Sequence, residues 1–315
     1  MSLELTEKEQ ARSDHLFQQV HKYLSFKDSR QANSGIAKYR SAMKSFCDFT
    51  AKNFGLRNLN NISNKHLAAF AQHRQEIGIA GVKTELSAIR KFHSKLENPR
   101  YKELETDNSK LGIEERKIVE DGRNIVDRAW TDEEFKKACD VAESYDNSDI
   151  ANAFEIARFG GLRINEVTAL TKSQIRNGLK AGFFVVTHTK GDVARMSFIE
   201  SNEYRQSLER ALHQAKSEHI FQGHGRTHEQ AKKRIQNFIN THRHKWSDVE
   251  SNNKQAVDDS DSRVRENLSF HGLRHAYARE KYRENLSKGM NDKQARKDVA
   301  VKLGHGRDEI TKVYL

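Results

Sequence analysis

The sequence predicts a mainly α-helical protein of two domains, with a small β component in the second. Three observations carry that reading. A single proline, Pro99, stands in 315 residues, and proline is the strongest interrupter of helices. Apolar residues recur at helical spacing through most of the chain. One stretch of the second half breaks that period and turns β-rich. The length also suffices for two domains, each burying its own core.

Residues 1–106 hold four helical patterns. One surrounds Leu16 to Leu24. In "NSGIAKYRSAMKSFCDFTAKNFG", Ile36, Tyr39, Met43, Phe46 and Phe49 recur at helical spacing and Gly55 marks the stop. "SNKHLAAFAQHRQEIG" and "GVKTELSAIRKFHSKL" keep the same period, each followed by a break. Together they predict a compact helical domain with Lys and Arg on its polar faces. Pro99, many charges and weak periodicity follow, and 107–126 reads as an interdomain linker.

The second domain is expected over 127–315. It opens with "WTDEEFKKACDVAES", where Thr131 and Glu134 have the spacing of a capping box and acidic residues fill the first turn. "GFFVVTHTKGDVARMSFIE" supplies the β component: two β-rich runs flank Lys190-Gly191-Asp192, a turn signal, and predict a β-hairpin. A basic helix, "HEQAKKRIQNFINTHRHKW", comes later. The polar "SDVESNNKQAVDDSDSRVREN" after it reads as a mobile loop. There is no internal repeat, heptad run or low-complexity tract.

Composition narrows the partners. Charged residues make up 31% of the chain, mean hydropathy is -0.88, and no apolar run approaches bilayer-spanning length. The N-terminus lacks the basic-then-apolar layout of a secretory signal. Cys47 and Cys139 read as reduced core thiols of a cytosolic protein. The formal net charge of +11 attracts polyanions, of which the nucleic-acid backbone is the commonest. An acidic membrane surface would call for a basic amphipathic anchor or a lipidation signal, and the sequence shows neither.

Several familiar chemistries fail on their motifs: there is no Walker loop, dinucleotide glycine fingerprint or serine nucleophile elbow. His242-Arg243-His244 resembles half a metal site but lacks a cysteine pair or acidic partner at ligand spacing, so no metal is expected. What remains is a scattered set of phosphate-suited side chains. In "FGGLRINEV", Glu166 lies one helical turn after Arg163, so a carboxylate can hold a guanidinium in place. In "SFHGLRHAYARE", His271 and Arg274 share that spacing, with His275 beside them. Lys190 sits at the hairpin tip. His305 follows Gly304, a helix-stop signal, and Tyr314 comes nine residues after His305. Each signal alone fits an ordinary structural role.

In combination and order, "GLRINEV", the hairpin Lys190, "HGLRH" and "LGH" with its downstream Tyr314 resemble the signature of the tyrosine recombinase, or phage integrase, family. "KYRSAMKSFCDF" and "VKTELSAIRKFH" resemble that family's N-terminal helices more loosely. The resemblance implies a helical, SAM-like core-binding domain that clamps DNA, joined to a mixed α/β catalytic domain of tyrosine-recombinase type. It implies that Arg163 and Arg274 grip the non-bridging oxygens of a scissile phosphodiester and that Tyr314 attacks phosphorus to form a 3′-phosphotyrosine. Lys190 would be the general acid for the departing 5′-oxygen. His271 would assist proton transfer at the tyrosine, His305 would hydrogen-bond a phosphate oxygen, and Glu166 and His275 would support them, Glu166 by orienting Arg163 or a histidine.

A tyrosine with a pKa of about 10 needs nearby donors or a base to release its proton. The covalent intermediate stores the bond energy, so no cofactor is expected. Two breaks and two joins per duplex imply a homotetramer on paired duplex sites. DNA-bending or directionality proteins are further expected partners, a membrane is not, and the expected setting is the cytoplasm of a bacterium, at the nucleoid. Family members often continue past the tyrosine into a tail that docks on a neighbour, whereas this sequence ends at Leu315. Two alternatives stand beside this reading: a type IB topoisomerase-like nicking-closing enzyme, and a catalytically silent DNA-binding protein on the same scaffold.

Overall fold

The four N-terminal patterns form four helices: α1 (Glu7–Tyr23), α2 (Asn33–Asn53), α3 (Asn64–His73) and α4 (Ile79–His93). They are seen in a computed structural model that describes residues 3–23, 33–75, 78–113, 126–187, 194–223, 225–247, 255–258, 261–265, 268–305 and 308–315. The chain divides into two compact units, Met1–Arg116 and Lys117–Leu315.

In the first unit, Leu16 and Val20 of α1, Met43 and Phe46 of α2, Phe70 of α3 and Leu86 and Phe92 of α4 meet in one core. Burying such side chains contributes roughly 1.5–3 kcal/mol each, so the stripe read from sequence is what assembles the helices. Arg74 and Glu85 pair at 2.8 Å next to this core. Leu104, Leu111 and Ile113 join the same cluster, with a short 3₁₀ turn at Ser109–Leu111.

The second unit begins with β1 (Val126–Asp127), α5 (Asp132–Ser144), α6 (Ser148–Gly160), α7 (Ile164–Thr168) and α8 (Lys172–Ala181). The Thr131 side chain accepts the Glu134 N–H and Glu134 returns the bond, the capping box expected there. Next come β2 (Phe183–Val186) and β3 (Arg195–Phe198), which pair antiparallel from Phe183↔Phe198 to Val186↔Arg195. After them follow α9 (Asn202–Gln214), α10 (His228–His242), β4 (Gln255–Asp258), β5 (Asp261–Arg265), α11 (Phe270–Ser287) and α12 (Asp292–Lys302). The fold is mainly α with a small β component. Helix α6 is buried on nearly every side, as are the first nine residues of α11 apart from His271; a helix enclosed in this way is a hub on which others pack. Trp130, Phe154, Tyr204, Phe238, Trp246 and Leu273 mark its core.

One expectation is corrected. The polar stretch 247–267, read as a loop, contains β4 and β5, and β5 pairs antiparallel with β4 and parallel with β1. The partner of Val264 is Val126. Pairing across that separation is invisible to local hydrophobic period, which the charged residues of this stretch do not display.

The glycine of "HGLRH" is required by close approach. A Cβ on Gly272 would lie 2.2 Å from the Arg128 carbonyl oxygen and 2.5 Å from the Trp130 ring, and Trp130 Nε1 donates to the Ser269 carbonyl at 2.9 Å. Gly272→Ala is therefore expected to destabilise the second unit by about 1–3 kcal/mol. That corresponds to roughly 2–4 °C of Tm per kcal/mol for a unit of this size, measurable by thermal melting.

Candidate active site

The "FGGLR" sequence builds a turn that only glycine allows. Helix α6 ends at Gly160, and Gly161 takes a left-handed φ of 62°. A Cβ there would also sit 2.5 Å from the Tyr277 ring, so both conformation and space exclude a larger residue. The chain then enters α7 with Arg163 at its N-cap and Glu166 in the first turn. Glu166 Oε1 accepts from Arg163 Nη1 at 2.8 Å and Oε2 from the Arg163 backbone N–H at 2.9 Å. The Glu166 side chain is fully buried, whereas 21% of the Arg163 side chain stays exposed.

Helix α11 supplies the next group. Arg274 is completely buried. Its guanidinium donates to the Gly161 carbonyl at 2.5 Å, to the Leu303 carbonyl, and from Nη2 toward His305 Nε2 at 3.4 Å. His271 and His275 lie on the same helix with ring centroids 5.1 Å apart.

The end of α12 delivers the rest. Gly304 has a φ of 69°, its N–H donates to the Val301 carbonyl and the His305 N–H to the Ala300 carbonyl. This paired closure is the Schellman stop, and it aims His305 back at Arg274. A 3₁₀ segment, Asp308–Val313, leads to Tyr314. Thr311 Oγ1 donates to the Arg296 carbonyl, Arg296 pairs with Asp308 at 3.2 Å, and Arg279 Nε donates to the Tyr314 carbonyl at 3.3 Å. These bonds hold the tyrosine segment on its own chain. Tyr314 is 6% exposed. Its ring lies 4.6 Å from the His275 ring and 5.7 Å from that of His271, with the Arg274 guanidinium carbon 5.8 Å from its centroid. Its hydroxyl is 3.1 Å from His305 Nε2. A guanidinium can only donate, so the Nε2 facing Arg274 carries a lone pair, and the tyrosine hydroxyl donates to that nitrogen.

The charges do not cancel. Arg163, Arg195 and Arg274 surround one carboxylate, Glu166, at 2.8, 2.7 and 3.9 Å. Burial pushes the Glu166 carboxyl up, but Arg195, Arg274 and the Arg163 N–H outweigh it and hold it below its ordinary value. Burial and the neighbouring Arg163 and Arg195 pull Arg274 down to about 10, so it remains a cation at neutral pH. Such a partly compensated cationic cluster favours an anion, and its forked donors suit the paired oxygens of a phosphate.

The same surroundings keep the imidazoles neutral. Burial, then Arg274, Arg163 and Arg195, lower His305 to about 4. Burial and His271 lower His275 to about 3. His271 is lowered to about 4 by burial and by Arg274 and Arg163; the residue is also exposed to solvent, which moderates the pull without reversing it. A histidine that titrates lower in the folded state contributes its stability fully above its unfolded value of about 6.5. That contribution is lost as pH falls toward the folded value. The melting temperature is therefore expected to drop from pH 7 to pH 5, and to drop less in His275→Gln.

The structure thus brings Arg163, Glu166, His271, Arg274, His275, His305 and Tyr314 together. Lys190 falls in 188–193, outside the described residues. Sequence reasoning missed Arg195, which binds Glu166, and Arg279, which binds both the Tyr314 carbonyl and, at 2.7 Å, Asp127. Arg279 is one turn beyond His275 and could have been found by that spacing. A cavity of about 970 Å³ lined by Arg158, Phe159, Tyr277, Arg279 and Glu280 borders the site through Tyr277 and Arg279; Arg163, Arg274 and His305 do not line it. Among the described residues, no cluster of three or more His, Cys, Asp or Glu is placed to hold a metal ion, and no helix is long and apolar enough to cross a membrane.

Comparison with known proteins bears on this geometry. The model of the phage integrase family matches residues 129–315, and that of the phage integrase N-terminal SAM-like domain matches residues 17–98. No curated protein sequence matches. Among solved structures, a lambda integrase dimer bound to a COC′ core site is similar with a TM-score of 0.63 at 17% identity, over 95% of this chain and 94% of that one. A lambda integrase tetramer bound to a Holliday junction gives 0.60 at 16%, over 95% and 76%. The Tn1549 transposon integrase in complex with transposon right end DNA gives 0.59 at 14%, over 94% and 93%. At such identities the structures attest the fold. The catalytic-domain match, spanning more than half the sequence, establishes that this chain belongs to the phage integrase family and is a tyrosine recombinase, an enzyme that breaks and rejoins DNA at specific sites.

Proposed function

We propose that this recombinase integrates or excises a mobile element, cutting duplex DNA through a 3′-phosphotyrosine on Tyr314. The observation that carries the reading is the tyrosine hydroxyl held 3.1 Å from a neutral His305, beside buried arginines in excess over the single carboxylate Glu166. Arg163 and Arg274 stabilise the charge of the pentavalent transition state, a task that preorganised donors serve well. Arg163 reaches the phosphate from its exposed side, and Arg274 from beneath.

The sequence resemblance gave the tyrosine proton to His271 and the phosphate oxygen to His305. The bond from the Tyr314 hydroxyl to His305 Nε2 supports His305 as the first acceptor of that proton, leaving the exposed His271 for the phosphate. Glu166 orients Arg163, and His275 backs the tyrosine ring. Lys190 protonates the departing 5′-oxygen. In the strand-exchange step another strand's 5′-hydroxyl attacks the phosphotyrosine and releases Tyr314.

The working division is a DNA-clamping domain over 1–106, a linker over 107–126 and a catalytic domain over 127–315. Duplex DNA is the substrate, and a homotetramer on paired sites supplies the four nucleophiles. The solved lambda integrase structures on a core site and on a Holliday junction support that assembly. The setting is a bacterial cytoplasm, at the nucleoid, with accessory proteins setting direction.

A nicked suicide DNA substrate tests the chemistry. The wild-type protein should become covalently attached to its established site. No attachment would leave a silent DNA-binding protein, and relaxation of supercoiled DNA without a paired site would favour the topoisomerase-like alternative.

A further inference from the structure

Strand β3 contains an inversion of the usual pattern. Its residues alternate buried and exposed from Arg195 onward, so Arg195 and Ser197 point inward while Met196 and Phe198 are 49% and 43% exposed. Only 6% of the Arg195 side chain is exposed. A guanidinium placed in a core position is costly unless its geometry is well satisfied, and its partners show what that position achieves.

Arg195 Nη2 donates to Glu166 Oε2 at 2.7 Å, and Nη1 donates to the Lys302 carbonyl at 2.8 Å. Nη2 also reaches the Gly161 carbonyl at 3.4 Å. Arg274 bonds the same Gly161 carbonyl and that of Leu303, next to Lys302. Two guanidiniums therefore span the same two turns: the one leading to Arg163 and the one presenting His305. The stem of Arg195 also lies under the second turn, since a Cβ on Gly304 would be 2.6 Å from Arg195 Cδ. Arg195 pairs with Glu166 at 2.7 Å where Arg274 stands at 3.9 Å, so Arg195 carries the carboxylate and the charge of Arg274 is left for the phosphate.

We propose that Arg195 is a positioning residue of the recombinase site, holding Glu166 and the end of α12 so that Arg163, Arg274 and His305 converge on one phosphate. The inference rests on the functional reading above. Arg195 and the Arg163 backbone N–H share Glu166 Oε2, which leaves Oε1 to the Arg163 guanidinium. In its absence Glu166 Oε2 turns to Arg274, now 3.9 Å away, and draws that guanidinium off the phosphate, while the Lys302 carbonyl loses its donor and the His305 turn loosens. The consequence is misplacement of catalytic groups with the DNA-binding surface untouched.

Single-turnover trapping of the full chain on a suicide substrate tests this through rate constant, trapped fraction and DNA affinity, measured separately. A misplacement on the order of 1 Å costs about 10²-fold. Arg195→Gln is expected to lower the cleavage rate constant by about that factor, with the trapped fraction at completion and the DNA Kd within about threefold of wild type. A merely unstable variant would instead lower the trapped fraction. Should Arg195→Gln fail to fold, Arg195→Lys serves: it keeps the charge on Glu166 but cannot also cap Lys302, so an intermediate loss of about 10-fold at full trapped fraction is expected. A cleavage rate within about threefold of wild type in the folded variant, or a loss confined to the trapped fraction, overturns the proposal. Failure of the wild-type protein to trap overturns the functional reading and this inference with it.

Discussion

Tyr314→Phe leaves the fold and DNA binding intact and abolishes covalent capture on a nicked suicide substrate. The substitution removes one oxygen. The ring keeps its packing against His275 and His271, and the Arg279 bond to the Tyr314 carbonyl is a backbone contact that phenylalanine preserves. The one bond lost runs from the hydroxyl to His305, worth about 1 kcal/mol, so the melting temperature should move by only a few degrees. Removing the nucleophile of a covalent mechanism costs on the order of 10⁴-fold or more, which takes the covalent band to background. A gel-shift titration run beside the denaturing gel checks that binding survives. Covalent product formed by the Phe variant would move the nucleophile to another residue.

The arginine pair is the second large effect, and the two members are expected to fail differently. Arg163→Ala removes a partly exposed guanidinium whose side-chain partner is Glu166 Oε1, and Arg195 still satisfies the other oxygen. Cleavage should fall by about 10³-fold, as for loss of a preorganised transition-state donor, with a small change in melting temperature. Arg274→Ala should match that catalytic loss and add a clear drop in stability. The Leu303 carbonyl then loses its Arg274 donor and the Gly161 carbonyl keeps only the 3.4 Å contact from Arg195, and a buried acceptor left unpaired costs roughly 1–3 kcal/mol. Arg274→Lys keeps a charge but not the fork that reaches both carbonyls, so it should recover stability more than rate. Substituting an exposed lysine remote from the site should mainly shift salt-dependent affinity. Equal cleavage by Arg163→Ala and wild type would remove Arg163 from the phosphate grip.

How much of this was legible beforehand follows from the range over which each feature is encoded. Capping boxes, helical stripes and glycine stops act within a few residues, and Thr131, Phe46 and Gly304 could be read locally. The grouping of Arg163, His271, Arg274, His305 and Tyr314 was legible through motif order. Arg195 was hidden because its strand reads backwards. By composition Met196 and Phe198 are the residues to bury, yet Arg195 and Ser197 face inward, toward Glu166 and, at 2.9 Å, the Tyr204 hydroxyl. The parallel pairing of β5 with β1 was hidden for a related reason: a charged strand shows no alternation, and its partner Val126 is far away in sequence.

The sequence by itself determined the helices, their caps, the cationic balance and the order of the chemical residues. Each of these is set by neighbours along the chain or by a sum over it. Only the tertiary structure decided that Glu166 is shared among three arginines, that the Tyr314 hydroxyl meets His305, and that the histidines stay neutral. Those outcomes depend on burial and on distances between segments that share no local period, and both come into being only when α6, α7, β3, α11 and α12 pack together.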